Sequence, residues 1–406
     1  MSTYLKLAWR NIWRKRRRTI ITISAIVFAV IAAILMQSMN RGSYEMIIDR
    51  TVTFSTGYIQ IQDYRYNEET SLDNAFYYDE ELRRLVLNAD ERIAHAIPRI
   101  ETFMLAANGG QTRGAVVTGI DFETEHRYNG LGDYLTEGRF FEPDEQAVVI
   151  AREMSDRLQL TVGDTLVLIG QGRFGMSASG LFEITGILEH PIREMNNMAV
   201  YMPLPAAWFL LSAEDHLTSL LISPEQPRQT SRVTASLRGQ LEAHDLVVLP
   251  WPELVPELLE LMELDLAGPR FITFVLYVVI GFGFLSTVLT MTMERIREFG
   301  VLLSVGMKRA RLCTVVFLET LFISSIGVLA GMAAAWSILW LINPIQLTGE
   351  AARALIDMGF EPLLPMSFAP DQFYIQGLYV FLIAMVVFLF PLIKIARLNI
   401  LNAARS

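Results

Sequence analysis

Cysteine is almost missing from these 406 residues: Cys313 stands alone, which excludes a disulfide framework and any cysteine-ligated zinc or iron–sulfur site within the chain. Lysine is nearly as scarce. None of the four (Lys6, Lys15, Lys308, Lys394) follows a glycine as a phosphate-cradling P-loop requires, so the chain is not its own P-loop ATPase. The five histidines (His95, His126, His190, His216, His244) are scattered singly, with no HExxH spacing and no second histidine a helical turn away to share a metal, and read as ordinary surface or core residues. Charge of either sign is thin, at 19% of residues, against 52% apolar and a mean hydropathy of +0.34. That balance is hard to reconcile with a water-soluble globule, and membrane segments are expected.

Thr19–Met39 supplies 21 uncharged residues, enough for the ~30 Å hydrocarbon core at ~1.5 Å per residue. It is too long for the apolar core of a cleaved signal peptide and lacks a small-residue cleavage site, so an uncleaved anchor is expected. No comparable run follows until Phe271–Met293, then Leu312–Leu341, interrupted only by Glu319, and Phe373–Ile393, ending near Pro391. The pattern is one span plus three. Positive flanks orient it. The first 18 residues carry seven Lys or Arg and no acid, the segment Glu294–Arg311 carries five, and the tail carries Lys394, Arg397 and Arg405. All three are expected on the cytoplasmic side, with both termini inside an inner membrane. The opposite side takes Gly42–Gly268, with 16 Arg, no Lys and 36 acids, a net charge of −20 that argues against nucleic acid.

That outer segment reads as a folded α+β module. Strand-like alternation occupies Thr51–Gln62, Ala115–Ile120, Ala147–Ile150, Asp164–Ile169, Leu181–Leu188, Ala199–Met202, Leu217–Ile222 and Leu246–Leu249. Helical periodicity occupies Glu80–Ala96, Arg152–Leu158, Ala206–Ser212 and Ser231–Ala243. Gly170-Gln171-Gly172-Arg173-Phe174-Gly175 matches G-x-G-x-x-G after a strand, but a dinucleotide site needs a helix next, and Met176–Leu188 alternates like a strand. The spacing predicts a glycine-rich hairpin loop.

Two helices should touch the membrane surface. Leu5, Trp9, Ile12 and Trp13 fall on one helical face and Lys6, Arg10, Arg14 and Arg17 on another, the pattern of an interfacial amphipathic helix with cations toward anionic lipid. Leu254, Leu258, Leu261, Met262 and Leu266 carry helical periodicity from Pro252 almost into the second span, which would make a lever joining span and domain. Between the second and third spans, Leu302, Leu303 and Val305 lie between Gly300 and Gly306, and a short helix with glycines at its ends is expected there. Glu319, about eight residues into an apolar run, must face protein or water or reach the inner headgroups; it reads as paired with an arginine of that connecting segment or as a transmission residue. Gly327, Gly331 and Ala335 make a small-residue face for close helix packing.

At these residues the sequence resembles the MacB/FtsX-type ABC transporter permeases, a group that includes the lipoprotein-releasing LolC and LolE subunits. That family shows a connecting segment similar to E-R-x-x-E-[IF]-G-x-x-x-[AS]-x-G-x-x-[RK] and then F-L-x-E. Here it reads Glu294, Arg295, Glu298, Phe299, Gly300, Ser304, Gly306 and Arg309, then Phe317, Leu318 and Glu319. Ala8-Trp9-Arg10-Asn11 with Arg14–Thr19 looks like the family's opening. Pro391, Ala396-Arg397-Leu398, Ala403 and Arg405 look like its tail, with Ile400 and Ala404 where proline and leucine are usual. Glu137-Gly138-Arg139, Val162-Gly163-Asp164 and Gly186-Ile187 also look familial.

The resemblance implies a membrane protein of four transmembrane helices with a large periplasmic α+β domain between the first and second. Its divisions would be a cytoplasmic amphipathic helix (1–18), helix 1 (19–39), the domain (40–270), helix 2 (271–293), a coupling loop or helix (294–311), helix 3 (312–341), an outer loop (342–372), helix 4 (373–393) and a cytoplasmic tail (394–406). It further implies a permease half of a homo- or heterodimer, without a nucleotide site of its own. A cytoplasmic ABC ATPase dimer carrying ATP and Mg would dock on Glu294, Arg295, Arg297, Glu298, Phe299, Gly300, Leu303, Gly306, Met307 and Arg309. Glu319, Gly327 and Gly331 would serve packing and transmission. In lipoprotein-releasing relatives a loop near Gly170, Arg173, Phe174 and Gly175 engages a periplasmic carrier, and the same role is a hypothesis here. The leading expectation is extraction or export of an amphiphile such as a lipoprotein, lipid or peptide. An FtsX-like transmitter that activates a periplasmic cell-wall hydrolase is the alternative, and an outer sensor for antimicrobial peptides a third.

Overall fold

The computed structural model describes residues 2–14, 16–241, 244–350, 352–353 and 363–396, so the expected familial tail from Arg397 onward lies outside the described residues. The chain divides into two compact units, residues 1–46 with 261–406 and residues 47–260.

Helix α1 (Ser2–Arg14) precedes α2 (Arg16–Thr51). Helix α2 has 36 residues, about 54 Å of rise, well beyond a bilayer core. A π-helical turn, Val52–Thr56, continues it and ends at Gly57, whose φ of +69° and close approach to the Leu221 side chain both suit glycine. Strand β1 (Ile59–Asp63) therefore begins eight residues later than the alternation from Thr51 predicts.

The outer unit opens on β1 and α3 (Glu80–Asn88), whose N-terminus is capped by Asp79 accepting from the Leu82 N–H. The helix does not reach Ala96 as its periodicity suggests. The chain turns after Ala89 and enters β2 (Ile93–Asn108), a 16-residue strand that the sequence reading missed because Pro98, Arg99 and Glu101 interrupt its apolar alternation. Then come β3 (Gln111–Ile120), α4 (Phe122–Asn129), β4 (Leu135–Gly138), β5 (Ala147–Ala151) and α5 (Arg152–Leu158). These are followed by β6 (Thr165–Gln171), β7 (Ser177–Leu188), β8 (Ala199–Pro203), α6 (Leu204–Leu211), β9 (Ser219–Pro224), α7 (Thr230–Leu241) and β10 (Leu246–Pro250). The ten strands pair in the order β10-β1-β9-β2-β3-β8-β5-β7-β4, and β6 joins β2 to β7. Strands β2, β3, β8, β5, β7 and β6 thus form a closed circuit, and the edges of the sheet fall to β10 and β4. Strand β5 is buried along its whole length. Val148 and Ile150 enter the main core, while Ala147, Val149 and Ala151 enter a second core with Phe54, Phe140, Phe141 and Tyr201.

Helix α8 (Pro256–Asp265) carries the chain past the division at residue 261 and leads to α9 (Ala267–Ser304), α10 (Arg309–Ile342) and α11 (Pro370–Ala396) of the other unit. Among the described residues, four helical stretches are long and apolar enough to cross a membrane: Arg16–Thr56, Pro256–Thr290, Arg309–Ile342 and Pro370–Ile395. The segment between the second and third stretches differs from the expectation. No separate short helix forms between Gly300 and Gly306. Helix α9 runs unbroken through Gly300 to Ser304, because an interior glycine costs a helix only about 1 kcal/mol. Gly306, at φ +99°, ends it, and α10 starts at Arg309. The partner of the small-residue face is α2: a Cβ on Gly327 would lie 2.8 Å from Ile26 Cβ, and one on Gly331 2.7 Å from Val30 Cβ.

Candidate coupling site

Helix α1 does not lie free. Ala8 and Ile12 are buried, Trp9 meets Phe322 of α10 edge-on at 5.8 Å, and the Thr19 hydroxyl donates to the Ile12 carbonyl at 2.6 Å. Seven residues of straight helix span about 10 Å, so α1 and α2 do not share one axis. This packing places Asn11 beside Glu319, to which its amide donates at 2.7 Å. Arg295 of α9 reaches the same carboxylate with two nitrogens, and its guanidinium lies 5.2 Å from the centre of the Phe299 ring.

Around this node Arg14 pairs with Glu298 at 2.9 Å and Arg18 pairs with Glu294. A cavity of about 20 Å³, room for one water, sits among Asn11, Arg14, Arg18, Arg295 and Glu319. The parts differ in weight. Arg14–Glu298 is solvent-exposed and worth under about 1 kcal/mol, whereas Glu319 is 6% exposed and would be costly to leave uncompensated. The end of α9 is therefore held by a buried contact to α10 that α1 completes.

The proposed docking residues divide between two sides. Phe299 and Leu303 are buried with Leu312, Val316 and Ile395, Met307 packs against them, and Gly300 is buried too. Glu294, Arg297, Gly306 and Arg309 are exposed. Val301, Leu302 and Val305, the last 82% exposed, form an outward apolar patch. Only Leu302 and Val305 stood out in the sequence. The unbroken helix supplies the signal for Val301, four residues before Val305 on the same face.

Gly170, Arg173, Phe174 and Gly175 lie at the β6–β7 hairpin, with Gly170 opposite Ala178, and no long helix follows, so the dinucleotide geometry is absent. Phe174 is 71% exposed with φ +54°, an uncommon state for a bulky side chain, and its N–H donates to Asp73 at 2.5 Å. Arg173 stacks 4.7 Å from the Phe174 ring. Among the described residues no three His, Cys, Asp or Glu side chains converge as a metal site.

One polar cluster had no signal in the sequence. Arg99 on β2 is buried and grips Glu125 of α4 at 3.1 and 2.5 Å, while its third nitrogen donates to the carbonyls of Phe54 and Ser55 at 3.2 and 2.9 Å. It thereby satisfies the orphan carbonyls at the end of the π-helical turn. Burial opposes the charge on Arg99, but Glu125 outweighs it and raises the guanidinium. Nearby, the Ile192 N–H donates to His190 Nδ1 at 3.0 Å and the Tyr201 hydroxyl lies 2.9 Å from Nε2. Burial pushes His190 down to about 4.

Residues 19–240 match the family description "MacB-like periplasmic core domain", and residues 270–400 match "FtsX-like permease C-terminal". Those two parts define an ABC transporter permease with a periplasmic domain inserted after the first span. The chain belongs to the MacB/FtsX-type permease family. Among its relatives is the lipoprotein-releasing system transmembrane protein LolC of Neisseria meningitidis serogroup B, 20% identical over 80% of this chain and 78% of that protein. The macrolide export ATP-binding/permease protein MacB of Hyphomonas neptunium is 21% identical over 85% of this chain, and the pyoverdine export ATP-binding/permease protein PvdT of Pseudomonas aeruginosa 22% over 86%. The chain spans about half the length of these two, 54% and 52%. Among solved structures it is similar to the extracellular domain of the ABC-type transporter YknZ from Gram-positive bacteria, with TM-score 0.35, 15% identity, and 47% of this chain and 98% of that one covered. It is also similar to the periplasmic region of MacB from Actinobacillus actinomycetemcomitans, with TM-score 0.36, 13% identity, and 53% and 98% covered.

Proposed function

We propose that this chain is the permease subunit of a transporter driven by a separate cytoplasmic ABC ATPase, which binds ATP and Mg and docks on the end of α9. The chain acts as one half of a homo- or heterodimer in the inner membrane, with both termini cytoplasmic. Nucleotide-driven movement of α9 is relayed to the periplasmic domain, which extracts or expels an amphiphile such as a lipoprotein, lipid or peptide. The carrying observation is the arrangement at the end of α9. Val301, Leu302 and Val305 face outward while Arg295 and Phe299 anchor the same turns to α10, so a force on the patch reaches the membrane helices. The similarity to LolC, named as part of a lipoprotein-releasing system, supports a lipidated cargo. The exposed tip at Phe174 fits a docking point for a periplasmic carrier.

The test is purification from native membranes in mild detergent with mass spectrometry of co-purifying proteins and lipids, repeated with Leu302→Asp. An ATPase lost in the variant, together with a lipoprotein or lipid, supports the reading. An ATPase accompanied only by a peptidoglycan hydrolase assigns a signal transmitter instead, and no ATPase in either sample overturns it.

A further inference from the structure

Helix α1 has two working sides. Inward, Ala8 and Ile12 are buried and Asn11 closes on Glu319. Outward stand Trp9 and Trp13, edge to face at 5.9 Å and both more than 40% exposed, with Lys6 and Arg10 exposed on the same short helix and Arg16 and Arg17 exposed at the start of α2. Arg14 and Arg18 are occupied by Glu298 and Glu294. No acid occurs in the first 18 residues, and among the described residues no ion pair reaches Lys6, Arg10, Arg16 or Arg17. Two indoles beside clustered cations, directly ahead of a spanning helix, form the chemistry of a headgroup-level anchor. An ordinary topogenic flank needs the charge but not a folded helix bolted to the coupling node.

We propose that the outward side of α1 is a docking surface for anionic phospholipid headgroups, and that their binding holds Asn11 on Glu319 and so tightens the end of α9. Charge complementarity selects this occupant: four cations, two on α1 and two at the start of α2, without an ion pair among the described residues, would meet phosphate while the tryptophans take the depth of the glycerol region. Each cation near an anionic leaflet is worth roughly a fivefold gain in association, so three together amount to on the order of a hundredfold.

The test uses the full chain alone in nanodiscs of phosphatidylcholine, or of phosphatidylcholine with phosphatidylglycerol, followed by hydrogen exchange of peptides covering 4–14 and 294–304. Because no ATPase is present, the result is independent of the transport reading. Phosphatidylglycerol should slow exchange in both peptides severalfold, and the triple variant Lys6→Gln, Arg10→Gln, Arg17→Gln should remove the difference. Asn11→Leu should keep the lipid effect on 4–14 and lose it on 294–304. Equal exchange in the two lipids, or an undiminished difference in the triple variant, overturns the proposal. So does reproduction of the effect by inorganic phosphate added to phosphatidylcholine discs, which would mean a free-anion site. A triple variant that keeps its lipid response but no longer retains the ATPase on purification would assign the surface to the ATPase and equally overturn the lipid reading.

Discussion

Arg295 and Glu319 lie 24 residues apart and on different helices, yet they form the buried ion pair that ties the end of α9 to α10. Removing one partner leaves an uncompensated charge, a loss of about 3–5 kcal/mol, whereas replacing both with apolar residues of similar volume is often nearly neutral. Arg295→Met and Glu319→Met should each lower the melting temperature of the detergent-purified chain, and the double variant should recover most of it. If the pair transmits force, the double variant will remain uncoupled despite its stability, with ATP hydrolysis by the bound partner no longer responding to cargo. Full recovery of coupling would reduce the pair to a structural role.

The glycines of α10 give a second prediction with an internal control. Leucine at Gly331 would drive a side chain into Val30 and against the Val27 carbonyl, 3.2 Å from the new Cβ, at a cost of about 1–3 kcal/mol or more from overpacking. Gly283 of α9 has nothing within 4 Å of such a Cβ, so Gly283→Ala should be neutral or stabilise by up to about 1 kcal/mol through helix propensity. Thermal melts of the two variants should move in opposite directions. A harmless Gly331→Leu would mean that α2 and α10 do not meet at this spacing.

His190 makes the outer unit acid-sensitive. Its folded value of about 4 lies below the ordinary 6.5, because burial between Phe54 and Tyr201 disfavours the cation. The unfolded chain therefore binds a proton that the folded one refuses. The stabilisation is complete above pH 6.5 and falls progressively as pH drops toward 4, by on the order of 3 kcal/mol at most. His95, half-buried, is lowered in the same sense. Glu145, held by Arg139 at about 2, acts only below its ordinary 4.5. The protection factor of β8 amides in the full chain, taken against the intrinsic exchange rate at each pH, should fall between pH 7.5 and 5, and His190→Gln should flatten most of that slope.

The four spans and their basic flanks are plain in the sequence because a long uncharged run has few other uses, and the stretches Asp164–Ile169 and Leu181–Leu188 declare by alternation the strands that pair as the β6–β7 hairpin. Strand β2 does not. Its polar interruption, Arg99, is buried through a partner 26 residues away, and no local periodicity encodes that pairing. A carboxylate inside an apolar run announces a buried partner, and Arg295 lies within the adjoining segment. Asn11, 308 residues from Glu319, becomes visible only when α1 is seen folded against α10. The continuity of α9 through Gly300 was hidden for the opposite reason: a glycine is a strong local stop signal that tertiary packing of Phe299 and Leu303 overrides.

The Arg99 clasp should tolerate no conservative replacement. Arg99 uses its fork on Glu125 and a third nitrogen on the Phe54 and Ser55 carbonyls, and a lysine ammonium cannot satisfy both groups at once. Arg99→Lys and Arg99→Met should each cost about 3–5 kcal/mol and speed exchange of residues 52–57 ahead of the rest of the outer unit. Leucine at both 99 and 125 should restore the cooperative melt but leave the 52–57 amides fast, since the helix-end carbonyls would still lack a donor. Slow exchange there in the double variant would show that Gly57 and its bond to Val52 cap the helix sufficiently alone.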